Sequence, residues 1–249
     1  MSVRFNGTAT SYYTSATNVP ASSSCTLCVF SKLRVDNNNF SSFLEWQTST
    51  PGFGWLVTTD ADGTTAQAYF KLGQVNMTPK DTDMNVWHFY AITMGGINTS
   101  GAWCCRAGNQ QPAREGSNPG GTTFVGGPPY VGGASGGGLS INGDVAGVKL
   151  YNHALLGHEI LAESRSVYPV KKAGLVAAWP MDAATTIIRD ISSYKHDLTS
   201  NDASPVVEGG PPVARFPKPR GILANVHMFT PPVDPGPQTG NAMFFGTDF

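Results

Sequence analysis

The chain has 249 residues, a formal net charge of −1, 40% hydrophobic residues and 13% charged residues. Near-neutrality removes the electrostatic case for nucleic acid or an anionic membrane as partner, and no run approaches the ~18 apolar residues of a membrane-spanning helix. The 29 glycines and 18 prolines, set among short apolar runs and Thr-, Ser- and Asn-rich turns, suit an all-β protein.

Residues 3–5 read as the first strand, followed by a turn at Gly7. Residues 25–35 alternate cleanly, with Cys25, Leu27, Val29, Ser31 and Leu33 on one face and Thr26, Cys28, Phe30, Lys32 and Arg34 on the other, the period of a strand. After the Asn37-Asn38-Asn39 turn, 40–48 form the next strand; 54–59 and 66–72 form a hairpin around Asp62-Gly63, a strong turn dipeptide. Strands at 86–93 and 102–107 follow. Between 108 and 147 lie 13 of the 29 glycines, which predicts mostly loop with one strand at 122–126.

From 139 to 164 the pattern changes. Val145, Gly147, Lys149 and Tyr151 alternate with Ala146, Val148, Leu150 and Asn152, so a strand is predicted. After Asn152-His153, Leu156 with Ile160 and Gly157 with Leu161 and Ser164 take helical spacing. Residues 173–202 carry about two further strands, too few to bury a core alone. They are predicted to complete the same sandwich from the other end of the chain, the alternative being the remnant of a second repeat. Domain one is therefore 1–202. Residues 203–249 hold nine of the 18 prolines, more than a central strand tolerates, and predict an extended arm. Its Phe216, Ile222, Leu223, Phe229, Phe244, Phe245 and Phe249 are too apolar for a free linker and mark a partner-binding surface.

Several of these stretches resemble laminin-G-like domains of the concanavalin-A-like jelly-roll superfamily, stand-alone members of which are encoded by tailed bacteriophages. VRFNGTATSYYTSATNVP resembles the family's opening segment, and VWHFYAIT its Trp-His strand through Trp87 and His88. In 139–164 the matches are Gly143, Val148, Lys149, Leu150, Tyr151, Asn152, Ala154, Leu155, Glu159 and Ile160. AGLVAAWPMD resembles the family's N-terminal strand, placed here after the closing helix. Two departures stand out: Ala146 and Gly147 replace a frequent acidic pair, and Leu156 replaces a capping Ser, so one hydrogen bond at the helix start must come from elsewhere. The resemblance covers 2–202. It implies a two-sheet antiparallel jelly-roll sandwich with one short helix, and it puts Trp87 and Trp179 in the core.

The chemistry-bearing residues divide as follows. Cys25-x-x-Cys28 and Cys104-Cys105 raise a zinc or redox site. Residues three apart, or adjacent, on a regular strand point to opposite faces, which favours four buried thiols over a zinc or a disulfide. Gly133-Ala134-Ser135-Gly136-Gly137 lacks the strand-turn-helix setting of a hydrolase nucleophile. The superfamily's glycosidases line their cleft with alternate acids on one strand, and retaining chemistry needs two carboxylates about 5 Å apart. Here Glu45 stands alone, and Glu115, Glu159, Glu163 and Glu208 fall in loop, helix or tail, so no enzyme and no cofactor is predicted. The superfamily's structural calcium would have Asp144, Asp182, Asp190 and Asp197 as candidates, each with an alternative role in turns. Phe53, Trp55 and Tyr130 are the aromatics best placed to stack on sugars.

The leading expectation is a non-enzymatic virion structural protein, a capsid decoration or cement protein of a tailed bacteriophage. It would bind the major capsid protein or another virion protein, and sister subunits in a homo-oligomer, through the 108–138 loop and the arm. The alternative is a carbohydrate-binding module for host-surface glycans; a glucanase-type hydrolase comes third. The N-terminus lacks the regions of a signal peptide, so synthesis in the host cytoplasm and a place on the virion surface are expected.

Overall fold

The computed structural model describes residues 1–34, 41–46, 53–59, 65–72, 75–77, 82–95, 101–117, 126–133, 140–183, 185–202 and 205–213. Among these the strands are β1 (Ser2–Asn6), β2 (Tyr13–Thr14), β3 (Cys25–Leu33), β4 (Ser41–Trp46), β5 (Phe53–Thr59), β6 (Thr65–Leu72), β7 (Val75–Met77), β8 (Thr82–Asp83), β9 (His88–Met94), β10 (Gly101–Arg106), β11 (Ala113–Ser117), β12 (Pro129–Val131) and β13 (Asn142–Tyr151). Helix α1 (Gly157–Glu163) then precedes β14 (Leu175–Trp179), β15 (Ile187–Ile188), β16 (Leu198–Ser200) and β17 (Val206–Glu208).

The strands form two sheets of a jelly-roll sandwich. The first runs β11-β10-β9-β3-β13-β1-β17 with β14 also on β13; the second runs β15-β16-β2-β12-β4-β5-β6-β7 with β8 on β6. Every strand pairing among the described residues is antiparallel. β13 is the hub of the first sheet. β3 pairs along one edge. On the other edge β1 takes Asn142 to Val145 and β14 takes Val148 to Tyr151. Strands from opposite ends of the chain thus lie end to end on one neighbour. Residues 173–202 give β14 to the first sheet, and through β16 on β2 they join the second.

Two hydrophobic clusters show which way the side chains go. One, between the sheets, includes Phe5, Tyr13, Leu27, Val131, Trp179 and Leu198. The other, on the opposite face of the first sheet, includes Cys28, Phe30, Phe89, Tyr151, Ile160 and Val167. β3 follows the expected alternation: Cys25, Leu27, Val29 and Leu33 belong to the first cluster, Cys28 and Phe30 to the second. Trp87 and Trp179 are buried, as expected.

β13 departs from the expected strict alternation. Val145 shares the inter-sheet cluster with Val148 and Leu150, whereas Ala146 and Tyr151 face the other way. The phase slips at Gly147, which sits at φ +56°, and the pairing with β3 shifts register between Ala146 and Lys149. The glycine takes up one extra residue as a bulge, a backbone shape that a Cβ disfavours. Its N–H donates to the Pro180 carbonyl at 3.1 Å.

Three further differences concern short strands. β11 pairs with β10 inside a stretch expected to be loop, and β12 spans three residues with too short a run to show a period. The strand expected at 122–126 lies outside the described residues except for Gly126. β17 pairs with β1, Ser2 opposite Glu208, so the chain past 203 stays in the sheet before any arm begins, and the compact unit runs from Met1 to Arg215. Pro205, Pro211 and Pro212 flank this edge strand rather than interrupt it, which is where prolines are tolerated. Residues 216–249, with Phe216, Ile222, Leu223, Phe229, Phe244, Phe245 and Phe249, lie outside the described residues, as do Asp62-Gly63 and 134–139.

The start of α1 answers the missing capping Ser. Leu156 offers no side-chain acceptor; instead the Glu159 carboxylate reaches back and accepts the Leu156 N–H at 2.8 Å. One half of a capping box therefore holds the helix start.

Candidate functional site

On β2 and β12 the inward side chains are Tyr13 and Val131, both essentially inaccessible. The alternate residues, Thr14 and Tyr130, therefore face out, and both are half-buried. Tyr130 pairs with Thr14 on one side and with Glu45 on the other, and Thr14 pairs with Thr199. Backbone register thus lines up Thr199, Thr14 and Tyr130 across the outer face of the second sheet, with the backbone of Glu45 next in register. Tyr12 joins this row: its ring centroid lies 5.8 Å from that of Tyr130, with the planes tilted by 55°.

The pair is held from below. Tyr13 packs edge-on against Phe5 at 6.1 Å and donates its hydroxyl to the Thr185 carbonyl at 2.9 Å. The Tyr12 carbonyl accepts the Asn201 N–H at 2.9 Å, and the Gly132 carbonyl that of Ile141 at 2.9 Å. Gly132 has φ +85°, and a Cβ there would collide with the Phe5 ring. Two tilted aromatic rings on a fixed sheet, flanked by threonine hydroxyls, offer an apolar surface for ring C–H groups with hydrogen-bonding groups at its border.

Of the aromatics singled out in the sequence, Tyr130 is thus in an exposed row. Phe53 and Trp55 pair with Trp46 and Leu44, in the rows of Pro129 and Val131 rather than that of Tyr130; their side chains lie outside the described residues. The sequence reading missed Tyr12, which reaches Tyr130 only through the β2–β12 pairing. It also missed Tyr194, 52% exposed and stacked on buried His196 with centroids 6.0 Å apart. Tyr194 borders a cavity of about 300 Å³ with Ser22, Cys25, Leu150, Asn152 and Val176.

The four candidate calcium ligands do not gather at one place, and among the described residues no group of three or more His, Cys, Asp or Glu side chains is arranged to hold a metal ion. Asp144 is buried and ion-paired with Lys32 at 2.8 Å and Arg34 at 2.9 Å. Asp182 accepts the Tyr168 hydroxyl at 2.6 Å. Asp190 accepts from the Ala178, Ser192 and His196 N–H groups and the Ser192 hydroxyl, an organiser of the 190–196 turn. Asp197 accepts the Asp190 N–H at 2.9 Å and pairs with Arg189 at 2.5 Å. Asp190 and Asp197 engage both carboxylate oxygens with protein donors, whereas the Asp144 contacts all fall on Oδ2 and, among the described residues, its buried Oδ1 has no hydrogen-bond partner.

All four cysteines are buried. Cys25 and Cys104 lie in the inter-sheet cluster, Cys28 and Cys105 in the other, as strand geometry predicts. Burial pushes the Cys25 thiol up to about 12 and that of Cys105 to about 11; Cys28 is raised by the same cause.

Residues 6–161 match the family model described as the concanavalin A-like lectin/glucanases superfamily. No curated protein matches the chain in sequence. In fold it is similar to a candidate carbohydrate binding protein from Bacteroides ovatus, with a TM-score of 0.54 and 15% identity over 86% of this chain and 61% of that one. It is also similar to the enzymatically active domain of tailspike protein 2 of bacteriophage CBA120, with a TM-score of 0.53 and 11% identity over 69% of this chain and 28% of that one. The chain therefore spans less than two thirds of the length of either.

Proposed function

The chain belongs to the concanavalin A-like lectin/glucanases superfamily, and from that premise we propose that it is a non-catalytic glycan-binding module whose sugar platform is the Tyr12–Tyr130 pair. The observation that carries this reading is the pair itself: two rings 5.8 Å apart on the outward row of the second sheet, with Thr14 opposite Tyr130. The fold likeness to the Bacteroides protein supports it.

Four of the described carboxylates are engaged in ion pairs, which supports a binding role over hydrolysis. Asp144, Glu159, Glu163 and Asp197 are each matched by a cation. A glycosidase needs one carboxyl free to give a proton and a second free to attack or to activate water.

The second reading places this module on the surface of a bacteriophage virion, supported by the fold likeness to the tailspike domain. In it, the segment after 215 and residues 118–125 hold a capsid or other virion protein and sister subunits, and the sandwich meets host glycans.

Affinity electrophoresis of the full chain in polysaccharide-containing gels tests the first reading. Retardation that disappears in Tyr130→Ala supports it; migration equal in plain and loaded gels refutes it. Deleting 216–249 and assaying incorporation into particles tests the second, which fails if incorporation is unchanged.

A further inference from the structure

On the helix side of the first sheet, a groove of about 350 Å³ opens between the turn after β10, the end of α1 and residues 212–213. Its polar wall is Asn109, Gln110, Gln111 and Arg165; Leu161 and Val213 supply apolar surface. The groove is built by close packing: Gly108, at φ +88°, lies so tightly against Pro212 that a Cβ there would collide with the Pro212 carbonyl.

The wall's polar groups are unspent. Among the described residues, the side chains of Asn109, Gln110, Gln111 and Arg165 have no hydrogen-bond or ion-pair partner. The acid nearest in sequence to Arg165 is Glu163, which turns inward to Lys149 at 2.7 Å. No carboxylate lines the groove, so the guanidinium charge stands there unneutralised.

We propose that this groove binds a hexuronate unit of an acidic polysaccharide through Arg165, with Asn109, Gln110 and Gln111 reading its hydroxyls. A guanidinium fork matches a carboxylate in two parallel hydrogen bonds. A carboxamide both donates and accepts, as a pair of neighbouring sugar hydroxyls requires. Leu161 and Val213 suit the C–H face of the ring. The volume is at the low end of the range for small-molecule sites, about 300–1,000 Å³, which suits one or two rings. This site lies on the opposite layer from Tyr130 and adds a charge preference that the tyrosine platform lacks.

Calorimetric titration of the full chain with digalacturonate, and with its neutral methyl diester, tests the proposal. The acid is expected to bind at least tenfold more tightly than the ester. Arg165→Ala is expected to lose that preference, Arg165→Lys to keep part of it, and Lys172→Ala, at an exposed cation outside the groove, to leave it unchanged. Arg165 is exposed, and an unchanged near-ultraviolet circular dichroism spectrum of the variant establishes that it folds. Equal binding of acid and ester, absence of binding by the acid, or full retention in a folded Arg165→Ala each overturns the proposal. Loss of digalacturonate binding in Tyr130→Ala but not in Arg165→Ala also overturns it and assigns the acid sugar to the tyrosine platform.

Discussion

Lys149 and Glu163 form an ion pair at 2.7 Å with both side chains wholly buried. The lysine comes from the hub strand β13 and the glutamate from the last residue of α1. The Lys149 ammonium also donates to the carbonyls of Glu163 at 3.0 Å and Ser166 at 2.5 Å. The other Glu163 oxygen accepts the N–H groups of Val170 and Lys171 at 2.9 and 2.7 Å. The pair clamps the helix and the 166–171 segment onto the first sheet, and so sets where Arg165 emerges.

Breaking such a pair strands a buried charge, at a cost of about 3–5 kcal/mol. Lys149→Ala and Glu163→Ala are each expected to lose stability of that order in urea unfolding. The double substitution Lys149→Met/Glu163→Leu is expected to lose less than either single change, because apolar side chains leave no unpaired charge. A double variant less stable than both singles would contradict this account.

Gly147 is the second structural commitment. A Cβ there would sit 2.7 Å from the Val167 carbonyl oxygen at φ +56°, strain worth about 1–3 kcal/mol. Gly147→Ala is expected to lower the thermal midpoint clearly. Gly209→Ala, where a Cβ meets nothing within 4 Å, is the control and is expected to change it little.

The buried thiols predict alkaline behaviour. Burial raises Cys25 from 9.0 to about 12 and Cys105 from 9.0 to about 11. The folded state therefore holds these protons where the unfolded state releases them. Their contribution to stability is complete below pH 9 and is lost as pH rises through 11 and 12. A thiol reagent at pH 8 is expected to label none of the four cysteines rapidly in the native chain and all four in urea; rapid native labelling of Cys25 would contradict the burial argument.

At the acid end, Glu159 and Asp197 act with the opposite sign. Burial pushes the Glu159 carboxyl up, but hydrogen bonds from Lys171 and the Leu156 N–H outweigh it and leave it below 4.5. Burial likewise opposes, and the Asp190 N–H and Arg189 outweigh it, at Asp197, which lies below 3.8. Both contributions are present above those values and are lost as pH falls below them. Glu159→Gln is expected to flatten the acid limb of a stability–pH curve.

Where a strand is regular, its sequence shows both its faces: Cys25, Leu27, Val29 and Leu33 of β3 go to one cluster, and Cys25 and Cys28 separate as the geometry demands. β13 defeats the same reasoning because a bulge adds a residue without changing composition, and only the φ of Gly147 marks it. Tyr130 could be singled out from its loop-like surroundings, but Tyr12 could not, since they meet through strands more than 110 residues apart in sequence. Arg165 lies two residues past the end of α1, and the apolar spacing of that helix says nothing of the amides after β10. The roles of Asp144 and Asp190 depend likewise on long-range partners, three cation contacts for one and four donors for the other.

The central claim is that the outer face of the second sheet holds sugar on Tyr12 and Tyr130. The most direct measurement is glycan-array binding of the full chain beside Tyr12→Ala and Tyr130→Ala, with thermal midpoints recorded for all three. Stacking and hydrogen-bonding losses of about 1–3 kcal/mol per aromatic residue predict at least a fivefold drop in affinity for the same glycans in both variants, with the fold intact. Array signals that are unchanged in folded variants, or absent for the native chain, would contradict the claim.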